Sequence, residues 1–340
     1  MRGHYGRIRR PHYAERVRAS PRSSLPSAVV PRSGGGEPDG AGGRRVDLVL
    51  LAVAICGVSL SAPLIAATAA PALAIAFWRN AMAVGVMSPF VLVRNRAELR
   101  GMGRRAVGLS AAAGVVLAVH FGLWLPSLSM TSVASSTALV TTTPIWTTVL
   151  LRLRGQRRPG LVWAGGALAV LGVAVLSGLD FSASPRALAG DALALGGGMA
   201  AAGYVLLGAE VRRTVGTAAY TYVCYATTAL ALLVACLVSG ASPFAGYPAA
   251  TWGKLAALTV AAQLLGHSLL NRVVRGLGPS VTSTAILLET PGAALVAAVW
   301  LGQRPPVAAY PALLLVLAGL ALVILADRRG SATATPEPGV

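Results

Sequence analysis

Apolar segments recur along the chain from Val46 to Ala326, separated only by short polar connections. A helix needs about 20 mostly apolar residues to cross the hydrocarbon core of a bilayer. Ten segments are close to that length, and each predicts a membrane-spanning helix: 46–66, 70–93, 107–126, 131–151, 159–178, 189–209, 217–239, 252–271, 280–301 and 308–326. The pattern therefore predicts an all-α polytopic membrane protein with ten transmembrane helices.

Composition excludes an ordinary soluble domain. The chain is 55% hydrophobic and only 12% charged, whereas about a quarter of the residues of a soluble domain are charged. The three cysteines, Cys56, Cys224 and Cys236, lie within apolar runs and form no metal-ligand or disulfide spacing. We predict the lipid bilayer as a partner, and neither a metal nor a cofactor.

The net charge of +18 is distributed in a way that indicates membrane orientation rather than nucleic-acid binding. Cytoplasmic loops of membrane proteins retain arginine and lysine. The connections after the second, fourth, sixth and eighth spans carry the basic clusters: Arg94, Arg96, Arg100, Arg104 and Arg105; Arg152, Arg154, Arg157 and Arg158; Arg212 and Arg213; Arg272 and Arg275. This bias predicts a multi-pass protein of the cell membrane with both termini in the cytoplasm and no nucleic-acid partner.

Two tails flank the apolar region. Residues 1–45 contain ten arginines among proline, serine and glycine, with no apolar periodicity. Such a composition predicts a disordered basic cytoplasmic tail, with a mis-assigned translation start as the alternative. Residues 327–340 are predicted to form a short cytoplasmic tail.

The apolar region contains an internal repeat at an offset of 147 residues. The segments 136–159 and 283–306 align without a gap, and ten of their 24 positions are identical. The matches include Thr143-Pro144 with Thr290-Pro291 and Gly155-Gln156-Arg157 with Gly302-Gln303-Arg304, and the same offset pairs His120 with His267. We therefore predict two homologous halves, 46–178 and 189–326.

Each half holds five predicted spans, an odd number, so the second half enters the membrane in the opposite orientation. Inverted repeats related by an axis in the membrane plane are a recurrent architecture of secondary transporters, with the substrate site near the midplane between the halves. The fold class predicted is thus ten helices arranged as two inverted five-helix repeats.

With the repeat, several short motifs resemble the drug/metabolite transporter superfamily, in its ten-helix branch with duplicated EamA domains. The motifs are Phe77-Trp78-Arg79-Asn80, Ser132-Val133-Ala134, Pro144 with Gly155-Gln156, Gly190-Asp191, Glu289-Thr290-Pro291 and Leu301-Gly302-Gln303. The sequence departs from the family where an acidic residue often follows the glycine that ends spans four and nine. Both positions are glutamine here, Gln156 and Gln303.

The resemblance implies export of small metabolites, such as amino acids or related compounds, by alternating access through a central cavity, with proton coupling left open. Separately, the sequence contains no nucleophile elbow, no H-E-x-x-H helix and no carboxylate-rich metal cluster, so we predict that the protein is not an enzyme. A non-transporting membrane scaffold or receptor is one alternative, and a membrane-embedded lipid-modifying enzyme is another. The sequence leaves substrate, coupling ion, direction of flux and oligomeric state open.

Two ionisable side chains fall near the middle of predicted spans. Arg79 and Glu289 each lie about ten residues into a span, and intramembrane charges usually face a cavity or a partner. We predict that Arg79, next to Asn80, holds a substrate carboxylate or phosphate, and that Glu289 binds a proton or a substrate amine. The alternatives are a structural ion pair between the two, or an Arg79 that extends to the interface.

Further polar residues in the spans complete the candidate site. His120 and His267 are candidates for proton relay, because imidazole titrates near neutral pH; neutral histidines bonded to carbonyls are the alternative.

Proline inside a helix removes a backbone hydrogen bond, which nearby hydroxyls can replace. Pro144 and Pro291 are therefore predicted to be paired gating kinks, with packing kinks as the alternative. The remaining candidates for substrate or ion binding are Thr142, Thr143 and Tyr222.

Overall fold

The structure is a computed structural model that describes residues 42–266, 269–270, 273 and 285–332. The first half contains eight helical pieces: α1 (Gly42–Ser59), α2 (Ser61–Ala66), α3 (Ala72–Arg94), α4 (Arg96–Gly101), α5 (Arg104–Ser127), α6 (Val133–Val140), α7 (Thr143–Leu153) and α8 (Gly160–Ala183). The second half contains α9 (Pro185–Val211), α10 (Thr217–Ser239), α11 (Ala249–Leu258), a π-helical segment (Thr259–Gly266), a 3₁₀ turn (Ile286–Leu288), α12 (Glu289–Trp300) and α13 (Ala309–Ala332).

Six stretches in the described part of the chain are long and apolar enough to cross a membrane: Arg45–Ala66, Ala72–Arg94, Arg104–Ser127, Pro185–Val211, Thr217–Ser239 and Ala309–Ala326. They coincide with the first, second, third, sixth, seventh and tenth predicted spans. Gly160–Leu176 and Ile286–Trp300 are shorter apolar helices within the fifth and ninth. The fourth and eighth spans correspond to interrupted helices. The described residues thus support six spans, and the number ten stays a prediction.

The predicted tails lie largely outside the described residues. Helix α1 already begins at Gly42, and α13 continues to Ala332. Residues 1–41 and 333–340 are outside the described ranges, as are His267 and the first five residues of the ninth predicted span.

Helix breaks accompany both repeated prolines. The fourth span is divided between α6 and α7 at Thr141 and Thr142, and Pro144 lies in the first turn of α7. Pro291 lies in the first turn of α12, directly after the 3₁₀ turn. Proline is tolerated at such positions because the first-turn N–H groups have no intrahelical partner. In the described part of the chain, both halves therefore have a helix break at this repeat position.

The helix pairings are reciprocal between the two halves. Helix α3 packs on α10, α6 on α12 and α8 on α13, and each of these pairs joins a span to its own repeat counterpart. The pairing of α5 with α9 is matched by that of the π-helical segment with α1, its repeat equivalent. Contacts that map onto themselves when two units are exchanged are those of a two-fold arrangement. The two-repeat layout is thus present in the packing as well as in the sequence.

The glycine of the repeated Gly-Gln-Arg triplet has the same backbone role in both halves. Gly155 follows α7 with φ of 85°, and Gly302 follows α12 with φ of 68°. A left-handed residue at this position commonly ends a helix, and glycine adopts it without strain. The recurrence of the glycine in both repeats is thus explained by a shared helix stop.

Candidate functional site between the two halves

Arg79 lies at the centre of the candidate site. Its side chain, on α3, is only 1% exposed. The Nη2 atom donates a hydrogen bond to Oε1 of Gln263 at 2.6 Å, and Cζ lies 4.5 Å from the centroid of the Phe121 ring. The Nε and Nη1 atoms are buried and have no hydrogen-bond partner among the described residues. Because a buried charge with unused donors is unfavourable, this guanidinium is suited to bind an anionic group.

Glu289 supplies a negative charge near this guanidinium. It is the first residue of α12, it is partly exposed, and it lies within electrostatic range of Arg79. The ion pairs found among the described side chains instead join Glu210 to Arg105 and to Arg213, close to helix ends. A direct ion pair between Arg79 and Glu289, the alternative raised by the sequence, is not seen. The burial of Arg79 likewise excludes the alternative in which it extends to the interface.

Aromatic side chains from α5 and α10 surround the guanidinium. Tyr225, on α10, is buried and within electrostatic range of Arg79. His120 is also within that range, but its Nδ1 donates to the carbonyl oxygen of Gly197 at 2.9 Å. Its ring stacks on Trp124 with a centroid distance of 5.6 Å. His120 is thus beside the site and oriented by a backbone bond, as in the structural alternative.

Asn80 is fully buried next to Arg79. Its Nδ2 donates to the carbonyl oxygen of Ala76 at 2.8 Å, and its Oδ1 has no hydrogen-bond partner among the described residues. Adjacent residues on a helix point about 100° apart, as the 3.6-residue turn dictates. Asn80 therefore adds a buried acceptor beside the site without sharing the direction of Arg79.

The threonines of the interrupted helix serve the backbone break. Thr142 Oγ1 donates to the carbonyl oxygen of Leu139 at 2.6 Å, and Thr143 Oγ1 donates to that of Val140 at 2.9 Å. Hydroxyl groups commonly satisfy carbonyls freed by a break in a membrane helix. Thr141 Oγ1 lies 3.3 Å from Thr290 Oγ1, so the two interrupted helices meet through hydroxyl groups.

Tyr222 lies away from the guanidinium. Its hydroxyl is 3.1 Å from Oγ of Ser88. Ser88 follows Arg79 by nine residues on α3, a displacement of about 13 Å along the helix. His267 lies outside the described residues. The structure therefore places Glu289 and His120 near Arg79, and it separates Tyr222 from them.

Two residues of the site were absent from the sequence-based prediction, Gln263 and Phe121. Gln263 could have been found, because it is an amide within an apolar span and polar groups there tend to be functional. Phe121 carries no such signal, since aromatic residues are common in apolar helices. In the described ranges, no group of three or more His, Cys, Asp or Glu side chains comes together.

Aromatic side chains close one end of the site. Trp78 Nε1 donates to the carbonyl oxygen of Pro243 at 2.8 Å. Its ring contacts Trp252 and Phe244 with centroid distances of 4.8 and 6.0 Å. Beyond the C-terminal end of α3, a cavity of about 790 Å³ lies between the α4–α5 connection at Met102 and the α9–α10 connection at Thr214. In the predicted orientation, the aromatic end faces outward and this cavity faces the cytoplasm.

A helical membrane protein with two equivalent halves and a buried charged site between them has the architecture of a membrane transporter. The comparison with known families agrees. The chain belongs to the EamA-like transporter family, which matches residues 46–178 and again residues 188–325. The family's repeat thus occurs twice, as the duplication in the sequence predicts.

A solved crystal structure supports the same fold. It is 20% identical to this chain, with a TM-score of 0.56, and the match covers 84% of this chain and 98% of the other. At this identity the similarity concerns the fold alone. No curated protein matches the chain.

Proposed function

We propose that this protein is a secondary transporter that exports small metabolites across the cytoplasmic membrane by alternating access. The observation that carries the proposal is the Arg79 guanidinium, buried between the halves with two nitrogens unpartnered. Binding sites of inverted-repeat transporters lie in such a position. The membership in a transporter family supports transport rather than catalysis.

The charges of the site favour amino acids or related compounds as substrates. Arg79 and Glu289 are near each other without a direct ion pair, so each charge lacks a bound counter-charge. A zwitterion would place its carboxylate at Arg79 and its ammonium group at Glu289. Charged hydrogen bonds of this kind contribute about 1.5–3 kcal/mol each. The neighbouring Phe121 and Tyr225 provide aromatic surface for the rest of the molecule.

Alternating access requires that the two ends of the site open in turn. The contacts of Trp78 with Pro243, Trp252 and Phe244 join α3 to the α10–α11 connection and α11, and they would have to separate for release to the outside. The helix breaks at Pro144 and Pro291 provide one bending point in each half. We propose that these breaks act as paired gates.

Efflux from proteoliposomes tests the proposal. Vesicles loaded with a panel of radiolabelled amino acids, hydroxy acids and amines, with and without a pH gradient, should release one class faster than protein-free vesicles. Acceleration by the gradient would support proton coupling. Rates equal to those of protein-free vesicles for every compound would overturn the transport proposal.

Substitution of Glu289 with glutamine tests its role as a proton or amine ligand. Loss of a charged hydrogen bond worth about 1.5–3 kcal/mol should raise the KM for a zwitterion by roughly 10- to 100-fold, and the pH gradient should no longer accelerate efflux. Glu210→Gln is the matched control, because Glu210 is exposed and forms ion pairs with two exposed arginines, and such surface pairs contribute little. Unchanged KM and unchanged gradient response in Glu289→Gln would contradict both roles.

The inverted arrangement can be tested by labelling. Single cysteines in the α4 connection and in the α10–α11 connection, introduced after Cys56, Cys224 and Cys236 are replaced by serine, should react with impermeant reagents from opposite sides of the membrane. Tags on the two chain ends should both be accessible from the cytoplasm. Termini found on opposite sides would overturn the topology and the transport mechanism built on it.

A further inference from the structure

Gln263 is the second-half side chain that holds Arg79, and this inference rests on the proposed function. Gln263 is 3% exposed, and its Oε1 accepts the hydrogen bond from Arg79 Nη2. We infer that Gln263 is a positioning residue that orients the guanidinium and, because its amide is uncharged, keeps the positive charge of Arg79 free for the anionic group of the substrate.

The two contacts of the guanidinium define its orientation. Phe121 lies against its face, and Gln263 binds Nη2. A planar group held at its face and at one edge has little rotational freedom, and less entropy is then lost when a ligand binds. The nitrogens that remain unpartnered, Nε and Nη1, are the ones available to a substrate.

The absence of charge on Gln263 is as informative as its position. A carboxylate at the same place would form an ion pair with Arg79 at 2.6 Å, and the substrate would have to displace it. An amide accepts the same hydrogen bond without placing a counter-charge on Arg79 at this position. Glu289 is the nearby negative charge. A glutamate at position 263 would therefore change the summed formal charge of Arg79, Glu289 and residue 263 from zero to −1. The site would then favour cations over anions.

Backbone packing fixes the place of Gln263. It lies in the π-helical segment Thr259–Gly266, and π-helical turns occur frequently at functional sites. This segment packs closely on α1: a Cβ on Gly57 would lie 2.6 Å from the carbonyl oxygen of Ala261, and one on Gly266 would lie 2.7 Å from Val58. This close approach positions the segment against α1 and so sets the direction of the amide in this conformation.

The hydrogen bond also joins the two halves. Arg79 belongs to the first half and Gln263 to the second, 184 residues later. Movement of one half against the other during alternating access would therefore change the orientation of the guanidinium. Through this hydrogen bond, the affinity of Arg79 for the substrate would depend on the conformation of the transporter.

Charge-selective transport tests the inference. Wild type, Gln263→Glu and Gln263→Leu would be reconstituted and compared for counterflow of L-alanine, L-phenylalanine, L-lactate and methylammonium. Gln263→Glu should lower the counterflow rate of the carboxylate-bearing probes at least tenfold. The counterflow rate of methylammonium should rise relative to the rates of those probes. Gln263→Leu should raise KM about tenfold with little change in maximal rate. Gln156 is an exposed glutamine, so Gln156→Glu is the matched control. Its transport rates and KM should equal those of wild type.

A second measurement separates failure of this inference from failure of the proposed function. Thermal unfolding of detergent-solubilised Arg79→Leu, Gln263→Leu and the double variant should give shifts in Tm that are not additive, because the side chains contact each other. If wild type transports none of the probes but the shifts are non-additive, the transport proposal fails and the positioning of Arg79 stands. Additive shifts, or transport in Gln263→Glu and Gln263→Leu equal to wild type, would overturn the inference.

Discussion

Replacement of Arg79 with glutamine should abolish measurable transport of carboxylate-bearing substrates. The variant loses the positive charge that Arg79 offers an anion, and truncating a buried charged hydrogen-bond partner typically costs about 2–4 kcal/mol, equivalent to roughly 30- to 1,000-fold in affinity. Arg79→Lys should retain part of the activity, because lysine keeps the positive charge. It lacks the planar guanidinium that contacts Gln263, Phe121 and the substrate at the same time. Counterflow in proteoliposomes, measured over a range of substrate concentrations, gives the KM.

Arg94→Gln is the control for this substitution. Arg94 lies at the other end of the same helix, is exposed, and contacts the ring of Phe90 at 5.3 Å. Its loss removes one positive charge without touching the site, so transport should stay near wild type. Monodispersity in size-exclusion chromatography shows whether each variant is folded. A folded Arg79→Gln variant with wild-type KM would remove Arg79 from the binding site.

Replacement of Gly319 with alanine should markedly destabilise the protein. An added Cβ would clash with the backbone nitrogen of Ala169 and would lie 2.6 Å from the carbonyl oxygen of Gly165. These are backbone atoms, so only separation of α8 from α13 would relieve the clash. Overpacking of this kind typically costs about 1–3 kcal/mol, and Gly319→Leu should cost more. A lower Tm in detergent and reduced yield of monodisperse protein would be the expected readouts.

Gly85→Ala provides the matched control. Gly85 lies within α3, and a Cβ at this position would meet no atom within 4 Å. Because alanine is the stronger helix former, by about 1 kcal/mol, this variant should be as stable as wild type or more stable. Equal Tm values for Gly319→Ala and Gly85→Ala would show that α8 and α13 are not in such close contact.

Much of the fold could be predicted before the structure. Apolar length located the long helices, and the 147-residue offset located the two halves and both prolines. The repeated prolines predicted the kinks, but hydropathy did not show that the helix of 131–151 stops at Thr141 and Thr142. A break of this kind depends on hydroxyl groups that replace backbone hydrogen bonds, and hydropathy does not register it.

The site was predicted only in part, for a geometric reason. Arg79 and Glu289 were recognisable because a charge within an apolar span is unusual wherever it points. Tyr222 was predicted to belong to the site, yet its hydroxyl lies against Ser88, and Tyr225, three residues further along α10, is the tyrosine within electrostatic range of Arg79. Which of two neighbouring side chains reaches a given partner depends on the depth of each helix, and sequence spacing does not specify depth.

The sequence by itself determined the membrane environment, the duplication, and the two charges placed within the spans, because these follow from local composition and from comparison of the chain with itself. Tertiary structure alone decided that Arg79 is held by Gln263 and Phe121 and remains apart from Glu289. Helices of similar hydropathy can rotate and slide in a bilayer without a change in their apolar pattern. Their faces are fixed only by contacts such as those of Gly57 and Gly266, where backbones approach closely.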